Sequence, residues 1–69
     1  MMIKTNTRII NSYDYEVMYE DLYKADHAIT EAEVNDLLAS DYHHSPITKA
    51  AASIDGNTAL ICYIVDGCD

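Results

Sequence analysis

Tyr13-Asp14-Tyr15-Glu16-Val17-Met18-Tyr19-Glu20-Asp21-Leu22-Tyr23-Lys24-Ala25-Asp26-His27-Ala28 decides the fold, because it carries two periodicities at once. Tyr15, Met18, Tyr19, Leu22 and Ala25 recur at helical spacing, and Glu20 stands four residues before Lys24, a favourable pair on a helix. Tyr13, Tyr15, Val17 and Tyr19 also alternate with Asp14, Glu16, Met18 and Glu20, which is the period of a strand. From Leu22 onward the helical spacing is the better match, so residues 13–28 are assigned to a helix. If residues 13–19 are instead a strand, the sheet gains a fourth member and one helix stands alone.

The flanking segments read more simply. Residues 2–10 alternate, with Ile3, Thr5, Thr7 and Ile9 on one face and Lys4, Asn6 and Arg8 on the other, as in a strand. Asn11-Ser12 ends that run. Thr30-Glu31-Ala32-Glu33 is a capping box, in which the threonine hydroxyl accepts from the N3 amide and Glu33 reaches back to the cap. Ala32, Val34, Leu37 and Leu38 then carry an apolar stripe to about Ser40. Asp41-Tyr42-His43-His44-Ser45-Pro46 is a connector. Ile54-Asp55-Gly56-Asn57-Thr58 is a hairpin turn joining the strand Ile47–Ile54 to the run 59–65. That run, Ala59-Leu60-Ile61-Cys62-Tyr63-Ile64-Val65, is apolar on both faces, which suits a central strand.

The expected fold is a single α+β domain: a small three-stranded antiparallel sheet with two helices on one face, ordered β-α-α-β-β. The helices would cover Leu60, Cys62 and Ile64. Ala59, Ile61, Tyr63 and Val65 would then form a bare apolar strip, and a homodimer through Ile61, Tyr63 and Val65 would cover it. With 69 residues such a domain buries only about 60 % of its unfolded surface, which makes support from a partner or a second copy attractive.

Charge is distributed unevenly. Asp14, Glu16, Glu20, Asp21, Asp26, Glu31, Glu33, Asp36 and Asp41 account for nine of the twelve carboxylates, with only Lys24 among them. That block therefore carries −8, equal to the formal charge of the whole chain. The remaining residues balance, Asp55, Asp66 and Asp69 against Lys4, Arg8 and Lys49. Placed on two adjacent helices about 20 Å long, eight charges give one per about 2.5 Å, near the one per about 1.7 Å of duplex DNA. An acidic balance of this kind excludes direct binding to nucleic acid or anionic lipid and points to a basic partner. Tyrosines beside the acids, Tyr15 and Tyr19 in particular, suit an interface that pairs with Arg and Lys while burying ring area.

Catalysis finds no support in the residue pattern. His27, His43, His44 and Cys62 are tied by no spacing that would make a nucleophile and base, and Gly56 and Gly67 form no phosphate loop. His43-His44 with Asp41 and Cys62 or Cys68 would offer nitrogen, oxygen and sulfur donors to a metal. The pair is read instead as solvent-facing loop histidines, Cys62 as a small core residue and Cys68 as a free terminal thiol, so no enzyme, metal or cofactor is expected. Two cysteines do not make a disulfide framework. Met1-Met2-Ile3-Lys4-Thr5 leads into polar residues and no apolar run has transmembrane length, so a soluble cytoplasmic protein is expected.

The small size, the run Tyr13-Asp14-Tyr15-Glu16 through Glu31-Ala32-Glu33 to Asp41, and the short sheet beneath it carry a resemblance. The chain resembles the small acidic DNA-mimic proteins of phages and mobile elements, and among these the anti-CRISPR proteins acting on a type I Cascade complex. The resemblance implies no enzymatic activity, a location in the host bacterial cytoplasm, and steric occlusion of a surface that binds target DNA. On the charge reading, Asp14, Glu16, Glu20, Asp21, Asp26, Asp36 and Asp41 would pair with lysines and arginines of that surface. Glu31 and Glu33 are partly explained by helix capping. The alternative is a small dimeric regulatory or adaptor protein, antitoxin-like, whose acids serve solubility.

Overall fold

Residues 16–25 form a strand, not a helix, in the computed structural model, which describes residues 1–66. The elements run β1 (Met2–Ser12), β2 (Glu16–Ala25), α1 (Glu31–Asp41), β3 (Ile47–Asp55) and β4 (Thr58–Asp66). They make one four-stranded sheet in the order β1-β2-β4-β3, with every neighbouring pair antiparallel. The expected three strands and two helices are thus corrected to a β-β-α-β-β fold with a single helix.

The strand prevails in residues 16–25 because both of its hydrogen-bonding edges find partners, β1 on one side and β4 on the other. Pairing also sorts its side chains by a period of two. Tyr19, Asp21 and Tyr23 point to the face that α1 covers, and Met18, Glu20 and Leu22 point to the opposite face. The helical stripe divides between the two faces, with Tyr19 on one and Leu22 on the other. Glu20 and Lys24 lie about 13 Å apart at about 3.3 Å per residue, so their expected pairing does not form. Glu20 accepts instead from Arg8 Nε at 2.6 Å, across the ladder from β1.

The core is small. Tyr23, Ile29, Val34, Tyr42, Ala59 and Ile61 are buried, and Met2, Ala25, Leu37, Leu38, Ile47 and Tyr63 pack against them. The helix starts as its sequence dictates: Thr30 Oγ1 accepts from the Glu33 amide at 3.2 Å, and the Thr30 amide donates to Glu33 Oε1 at 3.0 Å. It ends at Asp41, where the Tyr42 amide donates to the Leu38 carbonyl at 3.1 Å. The Gly56-Asn57 hairpin also forms, with Gly56 at φ +61 and Asn57 at negative φ, the pattern of a type II′ turn.

β4 is central, but its faces are inverted relative to the sequence reading. Ala59 and Ile61 lie under the helix, with Ile61 fully buried, and Leu60, Cys62 and Ile64 lie on the open face. The register decides this. Ile61 stands opposite Asp21 and Tyr63 opposite Tyr19, so these residues share the face on which Tyr42 and Val34 pack. Of the strip Ile61, Tyr63, Val65, expected to be bare and to dimerise, Ile61 is fully buried, Tyr63 packs against the core and Val65 is half-buried. The expected free thiol at Cys68 lies outside the described residues.

Candidate functional site

The nine clustered carboxylates separate into three environments once β2 is a strand. Asp21 goes inside. Its side chain points under the helix and is completely shielded from solvent. Thr7 Oγ1 donates to Asp21 Oδ1 at 2.6 Å, Tyr42 Oη donates to Asp21 Oδ2 at 2.5 Å, and Tyr63 Oη adds a longer contact of 3.4 Å. Tyr23 Oη lies 2.8 Å from Tyr42 Oη, which makes a relay from Tyr23 through Tyr42 to Asp21. Lys4 Nζ supplies the opposite charge at 3.8 Å. A buried carboxylate costs several kcal/mol to desolvate, and this set of donors offsets that cost. Burial, with Asp21 and Tyr23 adding to it, pushes the Tyr42 phenol well above the usual tyrosine range. The Tyr63 phenol rises to about 12, chiefly through burial and then through the Asp21 charge. Asp21 is therefore a structural hub, and its expected place on a partner surface is corrected.

A second group is spent on pairing at the surface. Glu20 is held by Arg8. Asp26 Oδ1 accepts from the N-terminal ammonium at 3.2 Å and lies 2.8 Å from His27 Nδ1, while His27 Nε2 lies 2.6 Å from Glu33 Oε2. The His27 bond and the N-terminal ammonium hold the Asp26 carboxyl at about 2, and Asp26, then Glu33, raises the His27 imidazole above its ordinary value. The Thr30 amide and His27 keep Glu33 low.

The third group is exposed. Asp14, Glu16, Glu31, Asp36 and Asp41, and Asp55 outside that cluster, make no hydrogen bond or ion pair through their side chains among the described residues. Asp14 and Glu16 flank the turn between β1 and β2. There they line a shallow groove with Ser12, Tyr13, Tyr15 and Asp66, next to the C-terminal end of β4. Tyr13 and Tyr15 are more than half exposed there. Asn11 Nδ2 donates to Tyr13 Oη at 2.7 Å, which fixes one ring against the turn. Tyr19 does not join them: it is half-buried and stacks on Tyr63 with centroids 5.4 Å apart.

The sheet thus brings Asp14, Tyr15 and Glu16 together, and it removes Asp21, Glu20, Asp26 and Tyr19 from that surface. Asp36 and Asp41 sit on the helix, away from the turn in sequence. Six carboxylates unpaired among the described residues, along the 40 Å long axis, give one per about 7 Å, so the expected one per about 2.5 Å, near the about 1.7 Å of duplex DNA, is not reached. Asp66 was missed in the sequence, because nothing local marks a strand end that folds back beside a turn fifty residues earlier. Tyr13 stands among the acids in sequence, and it is the turn that brings its ring into the groove with them.

Among the described residues no group of three or more His, Cys, Asp and Glu side chains could hold a metal ion. His43 and His44 are exposed loop residues, as read from the sequence, and the Cys62 thiol sits on the open sheet face, its pKa raised by burial and then by the Glu20 charge. No helix is long and apolar enough to cross a membrane among the described residues. Comparison with protein-family models, with curated proteins and with solved structures finds no match for this chain.

Proposed function

We propose that this chain is an acidic protein inhibitor that seats its Tyr13–Glu16 end on a basic, nucleic-acid-binding surface of another protein and keeps nucleic acid off it. The observation that carries this reading is the grouping of exposed Tyr13 and Tyr15 with Asp14 and Glu16, acids that no side chain among the described residues neutralises. Exposed rings anchor interfaces through buried area, and unpaired acids beside them select Arg and Lys. Asp36 and Asp41 extend the negative field along the helix and speed encounter without belonging to the anchor. Competition at a DNA-binding groove requires only that the acids meet the cations that would otherwise hold phosphates. The compositional resemblance to anti-CRISPR proteins gives the target: the DNA-binding surface of a type I Cascade complex in the bacterial cytoplasm. Titrating the chain into a Cascade–target DNA mixture tests this directly, since displacement of DNA is expected and undiminished DNA binding would refute it.

A second reading, an adaptor that docks through its sheet, draws on the open face. Met18, Leu22, Leu60, Cys62 and Ile64 are half-buried there, and no element among the described residues lies over them. Partner binding without displacement of DNA, unchanged in a variant with Asp14 and Glu16 neutralised, would favour this second reading.

A further inference from the structure

We propose that two copies of this chain pair edge to edge through β3, antiparallel about Ala52, to make one continuous eight-stranded sheet. The two edges of the sheet are unlike. β1 carries register shifts between Lys4 and Asn6 and between Ile9 and Asn11, and its two cations stand beside them. Bulges and charges of this kind keep an edge from pairing further. β3 has a single such shift, between Ile47 and Lys49 at its start, and beyond it, from Lys49 to Asp55, its register is regular and every residue is exposed.

The hairpin fixes which backbone groups β3 offers. Asp55 and Thr58 close the two-residue Gly56-Asn57 loop, so they form a narrow hydrogen-bonded pair. Alternation from there turns the amides and carbonyls of Ser53, Ala51 and Lys49 toward β4. Those of Ile54, Ala52 and Ala50 turn outward, unpaired. A two-fold axis at Ala52 sets Ala52 against its own copy and Ala50 against Ile54 of the second chain. All three outward residues then lie in narrow pairs.

Side chains select this register among those the backbone permits. It places Lys49 directly across from Asp55 of the second copy, and symmetry repeats the ion pair at the other end. Shifting the strands by two residues breaks both pairs. Ile54, 36 % exposed, comes to lie over the small Ala50, and Ala51 faces Ser53. The paired stretch Lys49–Asp55 holds one cation and one acid, so two chains of charge −8 meet where each is neutral. The helix does not obstruct the approach, because grooves between α1 and β3 leave Ala50, Ala52 and Ile54 open.

Sedimentation equilibrium over a concentration series tests the pairing. The wild-type chain is expected to reach twice the monomer mass. Ala52→Pro removes an outward N–H that β4 does not use, so it should give a monomer whose circular dichroism is unchanged. Lys49→Asp and Asp55→Lys should each weaken the dimer about tenfold, and the double exchange should restore it, because like charges across a strand pair repel. The exchange keeps the test sharp even if the proline variant unfolds. A chain that stays monomeric, or a dimer indifferent to the charge exchange, overturns the proposal.

Discussion

Tyr42 Oη donates a hydrogen bond to Asp21 Oδ2 at 2.5 Å, joining the residue that caps α1 to the middle of β2 across 21 positions. Through it, one carboxylate ties together the helix end, Thr7 of β1 and Tyr63 of β4. The centre of this fold is therefore a polar cluster with an apolar surround. No buried side-chain nitrogen or oxygen among the described residues lacks a partner.

Removing the hub should be costly. Asp21→Ala strands the hydroxyls of Thr7 and Tyr42 and is expected to lower stability by about 3 kcal/mol. Tyr42→Phe should cost about 2 kcal/mol, because Asp21 loses its shortest donor. Lys4→Met should cost less than about 1 kcal/mol, since that lysine is half exposed and 3.8 Å away. Urea unfolding of the three variants gives the order, and an Asp21→Ala chain as stable as wild type would contradict it.

The clamp at the opposite end should respond to pH within a defined window. His27 is raised above its ordinary 6.5, so its pairing with Asp26 and Glu33 is complete below that value and fades as pH climbs through the raised one. Asp26 is lowered from 3.8 to about 2, so its contribution is complete above 3.8 and is lost as pH falls through about 2. Glu33 is likewise lowered from 4.5, so the three-residue clamp is fully formed between about pH 4.5 and 6.5. Proton NMR of the His27 ring should show the larger fall in its pKa for Asp26→Asn and the smaller for Glu33→Gln. The reverse order would contradict the arrangement.

Two local positions should each carry a modest cost, for different reasons. Gly56→Ala places a Cβ in open space, so its cost, about 1 kcal/mol, arises from the positive φ alone. Thr30→Ala removes the hydroxyl that accepts from Glu33 and should also cost about 1 kcal/mol. Thermal melts of both variants check these values. A neutral Gly56→Ala would show that the turn does not need its left-handed residue.

What the sequence disclosed follows from how local each signal was. The capping box at Thr30 and Glu33, the turn at Gly56 and the two strands beside it are set by neighbours a few residues apart, and all formed as read. Residues 16–25 carry two valid periods, and the choice between them belongs to β1 and β4, whose partnership no local spacing encodes. The burial of Asp21 follows from that choice. On a helix it is one more surface acid, but between Tyr19 and Tyr23 on a strand it must turn inward with them. The acidic block accordingly lost its most central members and kept its ends, with Asp14 and Glu16 beside two exposed tyrosines.

The affinity of the chain for a type I Cascade complex, measured across a salt series for wild type and for the Asp14→Lys, Glu16→Lys double variant, tests the proposed function most directly. The expected result is binding that excludes target DNA, weakens steadily with salt, and falls at least about tenfold in the variant while its melting temperature holds. Absence of binding, or a variant that binds and excludes DNA as well as wild type, would contradict it.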